Sequence, residues 1–110
     1  MKFSEYQKLA SETAVYPGRK SKEGLVYVGL GLGGEAGEIQ NKLKKILRGD
    51  TELTESFIHD LGKEIGDLCW YISELASNLD LDLDEVVKNN VEKLWDRKVR
   101  NVIKGSGDSR

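Results

Sequence analysis

An apolar residue returns every three or four positions through most of this chain, while the strict alternation expected of strands is almost absent. The longest such series, Leu25, Val28, Leu32, Ala36, Ile39, Leu43 and Ile46, steps by three, four, four, three, four and three. Only a helix brings residues so spaced onto one face. Ile58, Leu61, Ile65, Leu68, Ile72, Leu75 and Leu79 form a second series of the same kind. The expected fold class is therefore all-α, a helical bundle of about four helices. The first helix uses Phe3, Tyr6, Leu9, Ala10 and Thr13 and stops before Tyr16-Pro17-Gly18, leaving residues 16–23 as a loop. The second closes at Arg48-Gly49, a basic residue followed by the glycine that helix ends favour. The third opens near Thr54. The fourth begins among Asp80, Asp82 and Asp84, whose carboxylates suit a first helical turn, and carries Leu83, Val87, Val91 and Leu94.

Residues 1–104 are expected to form one domain, and residues 105–110, Gly105-Ser106-Gly107-Asp108-Ser109-Arg110, a flexible tail unless a ligand orders it. A single domain of 110 residues buries a modest core, so a homo-oligomer, dimer or tetramer, is expected. With 17 Lys and Arg against 19 Asp and Glu, the net charge of −2 offers no positive field to recruit nucleic acid. No apolar run is long enough to span a membrane, and Met1-Lys2-Phe3-Ser4-Glu5 lacks the apolar stretch of a secretion signal, so a cytoplasmic location is expected. The single Cys69 has no cation beside it in sequence and reads as a small buried hydrophobe.

Two acidic pairs carry the chemistry. Glu35-Ala-Gly-Glu38 and Glu64-Ile-Gly-Asp67 each place two carboxylates three residues apart, hence side by side on a helix. At about 100° per residue, Glu35 and Glu64 each lie roughly 60–70° from the centre of their helix's apolar seam, bordering the core. The short link from Gly49 to Leu53 makes helices two and three an antiparallel hairpin, in which stripes displaced in the same sense fall on one side. The heights also match: Glu38 and Glu35 lie 10 and 13 residues before Arg48, and Glu64 and Asp67 lie 10 and 13 after Thr54. Both pairs thus stand about 15–20 Å from the turn. A chain that is 33% charged also places acids on solvated faces without purpose. Convergence of four anions at a core's rim, however, is unfavourable unless a cation neutralises them, and Mg²⁺, bound by carboxylates and substrate phosphates, is the natural one.

On the fourth helix, Asn90, Lys93 and Arg97 form one stripe beside the apolar seam. It reads either as a solvated basic face or as a grip on phosphate oxygens and a sugar hydroxyl. Lys44, Lys45 and Arg48 allow the same two readings. Gly29, Gly31 and Gly34 formally match a dinucleotide fingerprint, but no strand precedes them, and close approach by another helix or by a ligand is the better use. His59 is the only histidine, which excludes a di-iron bundle needing two Glu-x-x-His motifs. Trp70 points away from its helix's apolar seam, which suggests burial at a subunit interface or beneath a nucleobase.

With these residues in view, the chain resembles the MazG-like branch of the all-α nucleoside triphosphate pyrophosphohydrolases. Its E-x-x-E and downstream E-x-x-D pattern matches Gly34-Glu35-Ala36-Gly37-Glu38 and Glu64-Ile65-Gly66-Asp67-Leu68. The similarity to small phage and bacterial members extends to Tyr6-Gln7, Thr13-Ala14-Val15-Tyr16-Pro17, Lys44-Lys45-Ile46-Leu47-Arg48, Trp70-Tyr71, Asn90, Lys93-Leu94, Arg97 and the terminal Gly105 to Arg110 segment. The resemblance implies Mg²⁺-dependent hydrolysis of a (deoxy)nucleoside triphosphate to the monophosphate and pyrophosphate, with Mn²⁺ as a substitute metal, by a bundle completed through dimerisation. It further implies Glu35, Glu38, Glu64 and Asp67 as metal ligands and catalytic residues, and Asn90, Lys93, Arg97, Lys45 and Arg48 as substrate contacts. The alternatives are an enzyme like the phosphoribosyl-ATP pyrophosphohydrolase, or a non-catalytic helical module binding nucleotides or a protein.

Overall fold

Local signals punctuate the helices where the sequence places them. In the computed structural model, which describes residues 1–110, the chain forms α1 Phe3–Glu12, α2 Lys22–Leu47, α3 Glu55–Asn78 and α4 Leu83–Val99, with no strand. Gly49 takes φ +79°, the left-handed conformation that ends α2 and turns the chain. Thr54 caps α3, its hydroxyl accepting from the Phe57 N–H at 3.1 Å, and Asp82 caps α4 through the Asp84 N–H at 2.9 Å. Side chains that satisfy these first-turn donors fix where α3 and α4 begin. The expected loop at 16–23 is instead the segment 13–21, because α1 already ends at Glu12, with Thr13 as its C-cap, and α2 starts at Lys22.

α2 and α3 pack as the antiparallel hairpin, α1 lies against a second side of α3, and α4 packs chiefly on α1. Gln7 of α1 joins three of these parts. Its amide nitrogen donates to Ser77 Oγ at 3.0 Å and to the Leu81 carbonyl at 2.8 Å, while its oxygen accepts from the Leu83 N–H at 2.9 Å.

The core is thin. Val28, Ala10, Ala76 and Leu83 are buried, together with the polar Ser73, Glu74, Ser77 and Arg97. The long apolar seams do not close fully on each other: Leu43, Ile58, Ile65 and Ile72 remain 41–53% exposed. A two-helix hairpin covers each seam from one side only, and α1 and α4 lie elsewhere. The radius of gyration is correspondingly 16.8 Å, against about 13 Å for a compact chain of this length.

Candidate metal and nucleotide site

The antiparallel hairpin sets the site's register. As the residue number rises along α2 it falls along α3, so Gly31 meets Tyr71, Glu35 meets Asp67 and Lys42 meets Glu64. Glu35, Glu64 and Asp67 each bring a carboxylate oxygen within 4.8 Å of the other two. Two ligands on opposite sides of one Mg²⁺ stand about 4.2 Å apart at metal–oxygen distances of about 2.1 Å, so small rotamer adjustments fit this set to one hard cation. The residues present are all oxygen donors, as that chemistry requires.

Glu38 is exposed and stands outside this tight trio, one turn further round α2. It still acts on the trio electrostatically. Burial raises the Glu35 carboxyl above its usual value, and the charges of Asp67, Glu64 and Glu38 push it the same way. A cation from the protein itself faces the group: Lys42 Nζ lies 3.8 Å from Glu64 Oε1. Lys42 sits four residues after Glu38, a spacing that puts it on the acidic face and that a reading of acids alone passes over.

Beside the carboxylates opens a cleft of about 370 Å³ lined by Thr13, Glu35, Asp67, Trp70 and Tyr71. Its aromatic wall is built within the chain. The Trp70 indole N–H donates to Thr13 Oγ1 at 2.8 Å, and its ring stands edge-on to Tyr71 at 5.0 Å and to Tyr16 at 6.0 Å. Trp70 is thus half-buried by α1's end and its own helix, within the chain itself. The angular count does not contain this cover, because α3 packs on two sides and a residue off the α2 seam still has a neighbour on α1. The Tyr71 ring packs against helix α2 at Gly31, where an added Cβ would stand 2.1 Å from the ring's Cε1. The close approach expected of the glycine run is thus met at Gly31 alone, since a Cβ at Gly29 or Gly34 would have nothing within 4 Å. Thr13 and Tyr71 are signalled only through the resemblance, not by any chemistry of their own, although Trp70 and Tyr71 follow Asp67 by one helical turn.

The basic residues do not line this cleft. Asn90 is exposed on α4, and Arg97 is buried. Lys93 Nζ donates to Asp108 Oδ1 at 2.8 Å, and Arg97 Nη2 donates to the Asp108 carbonyl at 2.5 Å and its carboxylate at 3.2 Å. The two cations hold the Asp108 carboxyl below its usual range, Lys93 contributing most. Arg110 fastens the same segment, donating to the carbonyls of Val102, Ile103 and Gly107. Residues 105–110 are therefore laid back against the end of α4. Lys45 and Arg48 are exposed near the hairpin's turn, Arg48 paired with Asp50, about 10 and 15 Å along α2 from Glu38.

Residues 28–101 match the model of the MazG nucleotide pyrophosphohydrolase domain. The chain belongs to the MazG family. Its MazG domain contains the carboxylate trio, Trp70 and Tyr71, and the α4 stripe, whereas Thr13 and Asp108 reach these groups from outside the matched span. The chain is 53% identical over 109 residues to the Gene 37 protein of Mycobacterium phage L5, covering 96% of both chains. No solved structure matches it. No helix of this MazG protein is long and apolar enough to cross a membrane.

Proposed function

We propose that the chain hydrolyses a (deoxy)nucleoside triphosphate between its α and β phosphates, releasing the monophosphate and pyrophosphate, with Mg²⁺ as cofactor and Mn²⁺ as a substitute. The observation that carries this reading is the carboxylate trio opening directly into an aromatic-walled cleft. Glu35, Glu64 and Asp67 would hold the metal, with Glu38 adding negative charge beside them. When bound, the metal neutralises charge on the phosphates and makes a bound water more acidic.

The chain's own residues divide the remaining work. Glu35 and Asp67 line the cleft, so a triphosphate entering it meets carboxylates that must be bridged by a cation. Trp70 and Tyr71 offer apolar surface to the nucleoside. Lys93, Arg97 and Asn90 supply donors for phosphate oxygens and a sugar hydroxyl. Because α4 rests on α1, we place this stripe at the cleft of a second copy, in a homodimer or a pair of dimers. The half-exposed Ile58, Ile65 and Ile72 are the surface such a copy would cover.

A pyrophosphate-release screen of ribo- and deoxynucleoside triphosphates with Mg²⁺ tests the reaction. Equimolar monophosphate and pyrophosphate support it, and release of orthophosphate or of nothing contradicts it. Light scattering tests the assembly, for which a stable monomer at micromolar concentration is the contrary result.

A further inference from the structure

Glu74 is the only carboxylate in the chain with no exposed surface. Its Oε1 accepts from Tyr16 Oη at 2.5 Å and from Arg19 Nε at 2.8 Å, and its Oε2 accepts from Ser11 Oγ at 2.8 Å. Burial alone would raise this carboxyl, but the hydrogen bonds from Arg19, Tyr16 and Ser11 outweigh it and hold the group ionised below its usual range. All three donors come from the end of α1 and the connection to α2. A single buried anion on α3 therefore gathers that whole segment.

Such a centre is a weak device for stability, since a well-packed apolar replacement commonly serves as well. It is a strong device for geometry. Tyr16 Oη also accepts from Asn78 Nδ2 at 2.7 Å, so its hydroxyl is fixed from two sides. The Tyr16 ring, thus held, stacks on Tyr27 at 5.1 Å with planes 7° apart and takes the edge of Trp70 at 6.0 Å. Trp70 is tied in turn to Thr13, and both line the cleft. The path runs from Glu74 through Tyr16 to the aromatic wall without touching the carboxylate trio.

We infer that Tyr16, anchored on Glu74, is a positioning residue for the nucleoside end of the substrate: it fixes the Trp70 and Thr13 wall and leaves the phosphate and metal end unaffected. This rests on the reading of the cleft as a nucleoside triphosphate site. It makes the two ends of the substrate separable by mutation.

The test compares steady-state kinetics of the wild type, Tyr16→Phe and Ser11→Ala on the best nucleoside triphosphate. Inorganic pyrophosphate serves as a competitive inhibitor that lacks a nucleoside. Tyr16→Phe keeps the ring and loses the anchor. It should raise KM about three- to tenfold, no more than the net worth of the two hydrogen bonds its hydroxyl makes, with kcat and the pyrophosphate inhibition constant within about twofold. Ser11→Ala removes a donor from the same carboxylate without touching Tyr16, and should leave KM near that of the wild type. An unchanged KM in Tyr16→Phe overturns the inference. So does an equal rise in KM and the pyrophosphate constant, or a KM rise in Ser11→Ala matching that of Tyr16→Phe, because each would mean a general loss of structure. Should Tyr16→Phe fail to fold, Asn78→Ala, which removes the other tie on the hydroxyl, is read by the same criteria. A wild type with no turnover contradicts the proposed function instead. The positioning claim is then decided by calorimetry: Tyr16→Phe must weaken binding of a non-hydrolysable nucleoside triphosphate and spare that of pyrophosphate, and equal effects on both overturn it.

Discussion

Lys42 on α2 reaches to 3.8 Å from Glu64 on α3, so the acidic site carries a counter-cation of its own. Both side chains are partly exposed, and the pair is worth little to stability. Its effect on a divalent ion is the more telling one, because an ammonium and a metal compete for the same carboxylate. Lys42→Gln is expected to tighten Mn²⁺ binding about threefold or more in a calorimetric titration at low salt. Weaker binding would show Lys42 to be a structural support of the trio.

Glu35→Gln and Asp67→Asn should abolish metal binding and turnover while preserving the far-ultraviolet circular dichroism of a helical protein. Both changes relieve repulsion among neighbouring carboxylates. The metal-free thermal midpoint should therefore stay level or rise, which a melting curve in chelator checks. A fall of several degrees would place these side chains in the fold instead of the site.

The raised Glu35 carboxyl gives a pH signature. The folded protein holds this proton more tightly than the unfolded chain, so Glu35's contribution to metal-free stability is full below the ordinary Glu value and is lost as pH rises through the raised one. Metal binding expels the proton, so affinity should climb over the same interval and level off above it. Glu38→Gln should move that climb to lower pH, since the Glu38 charge contributes to the shift. Glu74 behaves oppositely: its lowered carboxyl stabilises the fold above the ordinary value, and that stability is lost as pH falls through the depressed one. Melts against pH in chelator, with Glu74→Gln beside the wild type, separate the two.

Gly31→Ala sets helix propensity against space. The substitution favours α2 by about 1 kcal/mol in an open position, but here the new Cβ would stand 2.1 Å from the Tyr71 ring. Tyr71 must leave its place, and the cleft wall with it. Nucleotide KM is expected to rise without loss of helix content, and an unchanged KM would remove Tyr71 from the substrate's path.

Asp108 occupies Lys93 and Arg97 as a phosphate would. Asp108→Asn should lower nucleotide KM at low ionic strength, with the difference fading at high salt as exposed charges are screened. A rise in KM would mean that Asp108 orients these cations for the substrate.

The helices and the trio were legible because both rest on local rules. Caps at Thr54 and Asp82, the glycine at 49 and a constant rise per residue are enough to bring Glu35, Glu64 and Asp67 to one level. Glu74 was not legible, for a glutamate within an apolar helix looks the same whether solvent or Tyr16 and Arg19 receive it. The placement of Trp70 depends on α1 choosing a second side of α3, a tertiary decision that one helix's periodicity does not contain. The pairing of Asp108 with Lys93 and Arg97 likewise follows from the path of the last residues, not from their flexible composition. How far Ile58 and Ile65 are covered was not legible either, because a period marks a face and not its cover.

Phosphorus NMR of the reaction products tests the central claim most directly. With Mg²⁺, the preferred nucleoside triphosphate should give pyrophosphate and nucleoside monophosphate in equal amounts. Neither should form in chelator or with Asp67→Asn. Nucleoside diphosphate with orthophosphate, or unchanged turnover by Asp67→Asn, would contradict the account.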